Sequence, residues 1–154
     1  MSSQVPPVRS LLLDTNVVLH LTRDRSLVAA NIDRQFGLSS SSFRPAICEV
    51  SVAELLAFAQ SEKWGERRAK ALRAELDRCL ILPISTPGVR ECWAVSKSKV
   101  KANGVTLADN DLWIAATAQV NELTVVTADQ DFARLATLGL VRAILLDART
   151  GLRL

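Results

Sequence analysis

Five short apolar runs, at residues 8–13, 46–50, 81–84, 123–126 and 143–146, alternate with longer stretches of helical periodicity. Nothing else in the chain constrains its fold as much. Short apolar runs bounded by turn-forming residues read as buried strands. When a helix follows each strand, neighbouring strands pair in parallel, because the chain must cross back before it can pair again. The expected architecture is therefore α/β, with a central, mostly parallel β-sheet flanked by helices on both faces. Helices are expected over 17–21, 27–36, 51 to about 62, 65–80, 89–102, 109–122 and 132–138. Ser51 and Glu54 have the S-x-x-E spacing of a capping box, which sets the start of the third helix. Leu72, Leu76 and Leu80 repeat on one face of the fourth.

The 154 residues suit one domain over 1–154, with a loose lead-in at 1–7 and a C-terminal strand and tail at 141–154. The serine-rich stretch 37–44 reads as a polar loop. Apolar residues make up 49% and charged residues 23%, a globular and not a disordered composition. Cys48, Cys79 and Cys92 are odd in number and form no CxxC pair, which argues against a disulfide framework or a thiolate zinc site. No run approaches a membrane span, and Asp14 and Asn16 interrupt the N-terminal apolar run before it resembles a signal peptide. A soluble cytoplasmic domain is expected. His20 is the one histidine, so a Ser-His-Asp triad or a Cys-His dyad would have to use it. A packed or half-exposed side chain is the simpler reading of a lone histidine, which leaves carboxylates as the reactive groups.

Sites in parallel α/β sheets form beyond the carboxyl ends of the strands. Asp14 ends the first run and Asp129 lies just past the fourth. Glu54 and Asp111 stand early in helices that begin at the same edge. Each acid has an ordinary structural explanation as well. Asp14 and Glu54 fit helix caps, Asp111 complements a helix dipole, and Asp129 suits a turn. Capping alone does not require four acids at one edge. Ala115 and Ala118 share a helix face with Asp111 and leave room around it, and Phe58 on the face of Glu54 suggests an inward carboxylate. Clustered carboxylates need protons or cations to offset their repulsion. Oxygen donors without His or Cys select Mg²⁺ or Mn²⁺, ions suited to phosphodiester hydrolysis.

These residues resemble the motifs of PIN-domain ribonucleases. Leu11-Leu-Leu-Asp14-Thr-Asn16 is similar to their opening motif and Ser51-Val-Ala-Glu54-Leu to the segment of their second acid. Asn110-Asp111-Leu-Trp-Ile-Ala-Ala matches the third, and Val125-Val-Thr127-Ala-Asp129-Gln-Asp131-Phe132 the fourth. Within that superfamily the chain looks most like VapC, the toxin of VapBC toxin–antitoxin pairs. The resemblance implies a PIN-like fold and a Mg²⁺- or Mn²⁺-dependent endoribonuclease acting on RNA. It also implies a homodimer neutralised by a small VapB-like antitoxin. By that analogy Asp14, Glu54, Asp111 and Asp129 hold the metal, and Asn16 and Thr127 orient them. Thr15 and Asp131 are further supporting candidates, although Asp131 also suits a cap for the helix at Phe132. The loop at Ser39–Ser42 and the tail beyond Val141 depart from the pattern.

Two basic groups, Arg67/Arg68/Lys70/Arg73 and Lys97/Lys99/Lys101, offer phosphate contacts or simply solvated helix faces. Trp64, Trp93 and Trp113 are expected in the core or an interface. Two other readings stay open beside the toxin: a non-toxin PIN nuclease and a PIN-fold module that binds RNA or a partner without cutting. A haloacid-dehalogenase-type phosphatase fits less well, because that chemistry wants an Asp where Asn16 stands.

Overall fold

A computed structural model describes residues 4–154, so the first three residues of the expected lead-in lie outside the described residues. Five strands, β1 (Leu11–Leu13), β2 (Ala46–Cys48), β3 (Leu80–Leu82), β4 (Thr124–Thr127) and β5 (Arg142–Leu145), form one sheet in the order β3-β2-β1-β4-β5. Every pairing is parallel, in agreement with the expectation. Helices α1 (Thr15–Leu21) and α2 (Leu27–Phe36) link β1 to β2, and α3 (Glu49–Ser61) and α4 (Glu66–Asp77) link β2 to β3. Helices α5 (Pro87–Ala102) and α6 (Asp109–Val120) carry the chain back across the sheet to β4, and α7 (Asp131–Thr137) leads to β5.

Side chains of successive strand residues point to opposite faces, and this divides the core into two layers. Leu11 and Leu13 pack with Val17, Ile32, Phe36, Leu55 and Leu72 under α1–α4. Leu12 packs with Val100, Leu112, Ala115, Phe132 and Leu135 under α5–α7. The chain winds outward from β1 to β3 with its helices on one face and returns to β4 with its helices on the other. The crossovers that follow β1 and β4 therefore leave for opposite faces. That divergence opens a crevice at the carboxyl edge between these two strands, the place where such sheets bind ligands.

The structure corrects several expected boundaries. Only 11–13 of the first run is strand, since Val8–Ser10 forms a 3-10 turn closed by Ser10 N–H donating to the Pro7 carbonyl. The second strand stops at Cys48 and α3 begins at Glu49, without a side-chain cap. Ser51 is thus not a capping residue. It lies inside the first turn, fully buried, and its hydroxyl has no partner among the described residues. Leu80 belongs to β3 and not to the preceding helix, because its N–H reaches the Pro45 carbonyl and its Cα registers with Ala46. Pairing with β2, more than apolar content, fixes where the third strand starts. No helix among the described residues is long and apolar enough to cross a membrane.

Candidate active site

Asp14 follows β1 directly, and its own N–H continues the ladder to the Val126 carbonyl at 3.0 Å. The carboxylate is held on three sides. Its Oδ1 accepts from the Thr15 N–H at 2.8 Å, which caps α1. Its Oδ2 accepts from the Thr127 hydroxyl at 2.6 Å and from Asn16 Nδ2 at 3.0 Å. Thr127 stands at the end of β4, so this contact ties the two central strands together where they end. The same hydroxyl accepts from the Asp129 N–H at 2.9 Å, and Asn16 Oδ1 accepts from the Ala128 N–H at 3.0 Å. Asn16 and Thr127 thus fix both the Asp14 carboxylate and the backbone that carries Asp129. Thr15 turns the other way, its hydroxyl donating to Glu54 Oε1 at 2.9 Å.

Asp111 stands in the first turn of α6, which starts at the carboxyl edge because it runs antiparallel to the β4 strand it feeds. Ala115 and Ala118 are fully buried beside it, as the spacing suggested. Carboxylate oxygens of Asp111, Asp129 and Asp131 lie within 4.8 Å of one another, all three residues half-buried. The sequence reading ranked Asp131 below its neighbours and offered it as a cap. Helix α7 has no side-chain cap: Asp129 Oδ1 accepts the Asp131 N–H at 2.9 Å in the turn before it, while the Asp131 carboxylate joins those of Asp111 and Asp129. Phe58 does not mark an inward face either. It is exposed, and the buried stripe of α3 runs through Ser51 and Leu55 with Glu54 at its margin beside Thr15.

The electrostatics follow from the crowding. Burial, then repulsion from Asp129, Asp14, Asp131 and Glu54, lifts the Asp111 carboxyl to about 7. Burial also lifts Asp14, to about 6. The bonds from Thr127 and Thr15 oppose that rise, and the charges of Asp129 and Glu54 add to it. An all-oxygen set that repels itself in this way is complementary to a hard divalent cation. His20 and the cysteines lie outside this acidic set. His20 is half-buried on α1, its pKa lowered first by burial and then by Arg23. The three cysteines are unpaired, and burial pushes the Cys79 thiol up to about 12, far from a reactive thiolate.

Of the two basic groups, two of the three lysines act as fasteners. Lys97 Nζ bonds Asp109 at 2.7 Å, and Lys99 Nζ bonds the Leu138 carbonyl at 2.6 Å. Trp93 and Trp113 stack on each other with ring centroids 4.8 Å apart and join α5 to α6 against the core.

The PIN-domain family model matches residues 11–138, most of the chain and all of the acids above. The chain belongs to the PIN-domain family. Among curated proteins it is similar to Ribonuclease VapC4 of Mycobacterium tuberculosis, 42% identical over 45 residues. That match spans 29% of this chain and 35% of the relative's length. The PIN fold is also that of VapBC2 from Rickettsia felis, solved bound to a DNA fragment from its promoter. The TM-score is 0.74 at 21% identity, over 89% of this chain and 98% of that one. VapBC-5 of Mycobacterium tuberculosis, a member of the VapBC family of toxin–antitoxin systems, aligns at TM-score 0.66 and 27% identity. It covers 89% of this chain and 99% of that chain.

Proposed function

We propose that this PIN domain is a divalent-metal-dependent endoribonuclease, the toxin of a toxin–antitoxin pair, which hydrolyses RNA phosphodiester bonds in the cytoplasm. In this reading it works as a homodimer and is silenced by a small VapB-like antitoxin. The observation that carries the proposal is the meeting of Asp111, Asp129 and Asp131 oxygens within 4.8 Å, beside Asp14 and Glu54 at the crevice between β1 and β4. VapC4 is named a ribonuclease and the solved VapBC structures are toxin–antitoxin complexes, which supports the same assignment.

Asp111, Asp129 and Asp131 would hold Mg²⁺ or Mn²⁺, with Asp14 and Glu54 completing the acidic surround. Such an ion, when bound, supplies Lewis-acid stabilisation of the phosphate and makes water a better nucleophile at neutral pH. The chain's own residues set the stage for it. Thr127 and Asn16 lock the Asp14 carboxylate through its Oδ2, so that it cannot rotate away from the crevice. Thr15 holds Glu54 across the gap between α1 and α3. Thr127 also fixes the turn that aims Asp129. Positions held by such supporting bonds are what metal catalysis needs, since misplaced ligands cost rate.

Asp111→Asn removes a charge and keeps the shape. RNA cleavage by the purified variant is expected to vanish while its circular dichroism spectrum stays that of the parent. Activity equal to the parent's would sink the assignment. EDTA should stop cleavage and Mn²⁺ or Mg²⁺ restore it, whereas cleavage persisting in EDTA would point to a metal-free mechanism.

A further inference from the structure

Arg23, just after α1, and Arg67 and Arg68, in the first turn of α4, line one cavity of about 430 Å³, together with Thr22, Asp24 and Gly65. The cavity lies where the end of α1 meets the start of α4. Three cations stand there against Asp24 in the lining and Glu62 near Arg68. Asp24 bonds Arg67 at 2.9 Å, but both side chains are largely exposed, so the pair neutralises little. The Arg68 guanidinium lies on the Trp64 ring, 3.8 Å from its centroid, and its buried Nε has no partner among the described residues. The ring contact thus positions the guanidinium while its Nε donor is unspent. Helix α4 begins at Gly65 with no side-chain cap, which leaves first-turn N–H groups and the positive end of the dipole on the same side. Burial, and next repulsion from the charge of Arg23, lower the Arg68 pKa, while the charge of Glu62 opposes that shift. A dianionic or monoanionic oxyanion relieves that repulsion, and planar guanidinium forks bind phosphate oxygens bidentately.

The position of the cavity indicates which phosphate. Helix α1 starts at Thr15, which bonds Glu54 in the acidic site, and ends at Leu21 next to the arginines. Seven residues at 1.5 Å per residue separate the two ends by about 10 Å. A single strand carries one phosphate per nucleotide, so that span is a few nucleotides at most. The α3–α4 hairpin follows the same course, from Glu54 beside Thr15 to Arg67 and Arg68 beside Arg23. We propose that Arg23, Arg67 and Arg68 form a phosphate-binding subsite that grips the RNA strand within a few nucleotides of the scissile bond. This inference rests on the ribonuclease reading above. The subsite contributes affinity and register, and it reads no base, because guanidinium–phosphate contacts carry no sequence information.

The test measures binding of a labelled single-stranded RNA of about 20 nucleotides to protein carrying Asp111→Asn, over a series of salt concentrations. Arg23→Glu is the main variant because Arg23 is exposed and its replacement leaves the core untouched. Arg68→Ala and Arg68→Lys are its companions, each checked by thermal melting. Arg23→Glu and Arg68→Ala are expected to weaken binding about tenfold and to reduce the salt slope by about one. Arg68→Lys should recover part of the affinity. In cleavage assays without the Asp111 substitution, KM should rise much more than kcat falls. Parental affinity and salt slope in both Arg23→Glu and Arg68→Ala would overturn the subsite alone if the parent still cuts RNA. A parent that neither binds nor cuts RNA would overturn the ribonuclease reading and this inference with it. Saturable binding of inorganic phosphate that Arg23→Glu abolishes, with RNA affinity unmoved, would mark a small-anion site instead and also overturn the proposal.

Discussion

Thr127 shows how much one buried hydroxyl can organise. It is fully buried, donates to Asp14 and accepts from the Asp129 N–H, so one atom aligns two acids from opposite sides of the crevice. Thr127→Val keeps the volume and removes both bonds. Replacement of such supporting groups usually costs 10- to 100-fold in metal affinity or activity, and a loss of about that size is expected here. Cleavage rates and Mn²⁺ titration would measure it, and unchanged values for both would deny Thr127 its positioning role. At this scale the sequence was highly informative about residue types. Asp14, Glu54, Asp111 and Asp129 all stand at one edge, as strand and helix order required. It was less informative about the division of labour. Asp129 and Asp131 are two residues apart, and which carboxylate holds the turn before α7 depends on side-chain torsions that composition does not encode.

Among the elements, the tail beyond β5 gains a clear role. Asp147 makes a turn by accepting from the N–H groups of Arg149 and Thr150, and the chain then doubles back so that Arg153 bridges to Leu146. Helix α2 holds that turn from the other side. Asn31 Nδ2 donates to the Thr150 carbonyl, Gln35 Nε2 to the Gly151 carbonyl, and the Arg153 N–H to Gln35 Oε1. Gly151 sits at φ +73°, where a Cβ would come within 2.7 Å of the Val28 carbonyl oxygen. Gly151→Ala is therefore expected to destabilise the fold by about 1–3 kcal/mol, read as a lower urea midpoint. An unchanged midpoint would show that the tail does not brace α2. The core gives a second prediction at this scale. Leu55 is fully buried where α3 meets the sheet, and Leu55→Ala should cost about 2–5 kcal/mol. Periodicity located the helices within a few residues, but not their caps. The expected S-x-x-E box failed because β2 ends at Cys48 and the chain turns there, two residues before a local rule would have turned it.

For the whole molecule, the distribution of charge matters more than its sum. If the four acids first singled out are gathered in the crevice, 12 of the 16 acids stand against 19 basic residues elsewhere. The remainder then carries about +7, a basic body around an acidic pocket, which suits a polyanionic substrate. The pocket also makes stability depend on pH. Asp111 titrates near 7 and Asp14 near 6 in the folded protein, against 3.8 for both when unperturbed. Between about pH 4 and 7 the folded state therefore binds more protons than the unfolded one, so stability falls as pH rises through that window. The metal-free protein should melt several degrees higher at about pH 5 than at about pH 8, and Asp111→Asn should flatten the difference. Millimolar Mg²⁺ should raise the melting temperature most at the higher pH, where the ligands are ionised. A metal-free melting profile flat across that range would contradict the raised carboxyls. The sequence by itself determined the parallel α/β class, the order of the acids and the edge at which they gather, because strand and helix periods are local and a parallel sheet has only one carboxyl end. Only the tertiary structure decided which oxygens meet, that Asp131 joins them, and that Arg23, just after α1, shares a cavity with the arginines of α4. Those facts depend on register, on which face each crossover takes and on side-chain torsions, and no local pattern carries them.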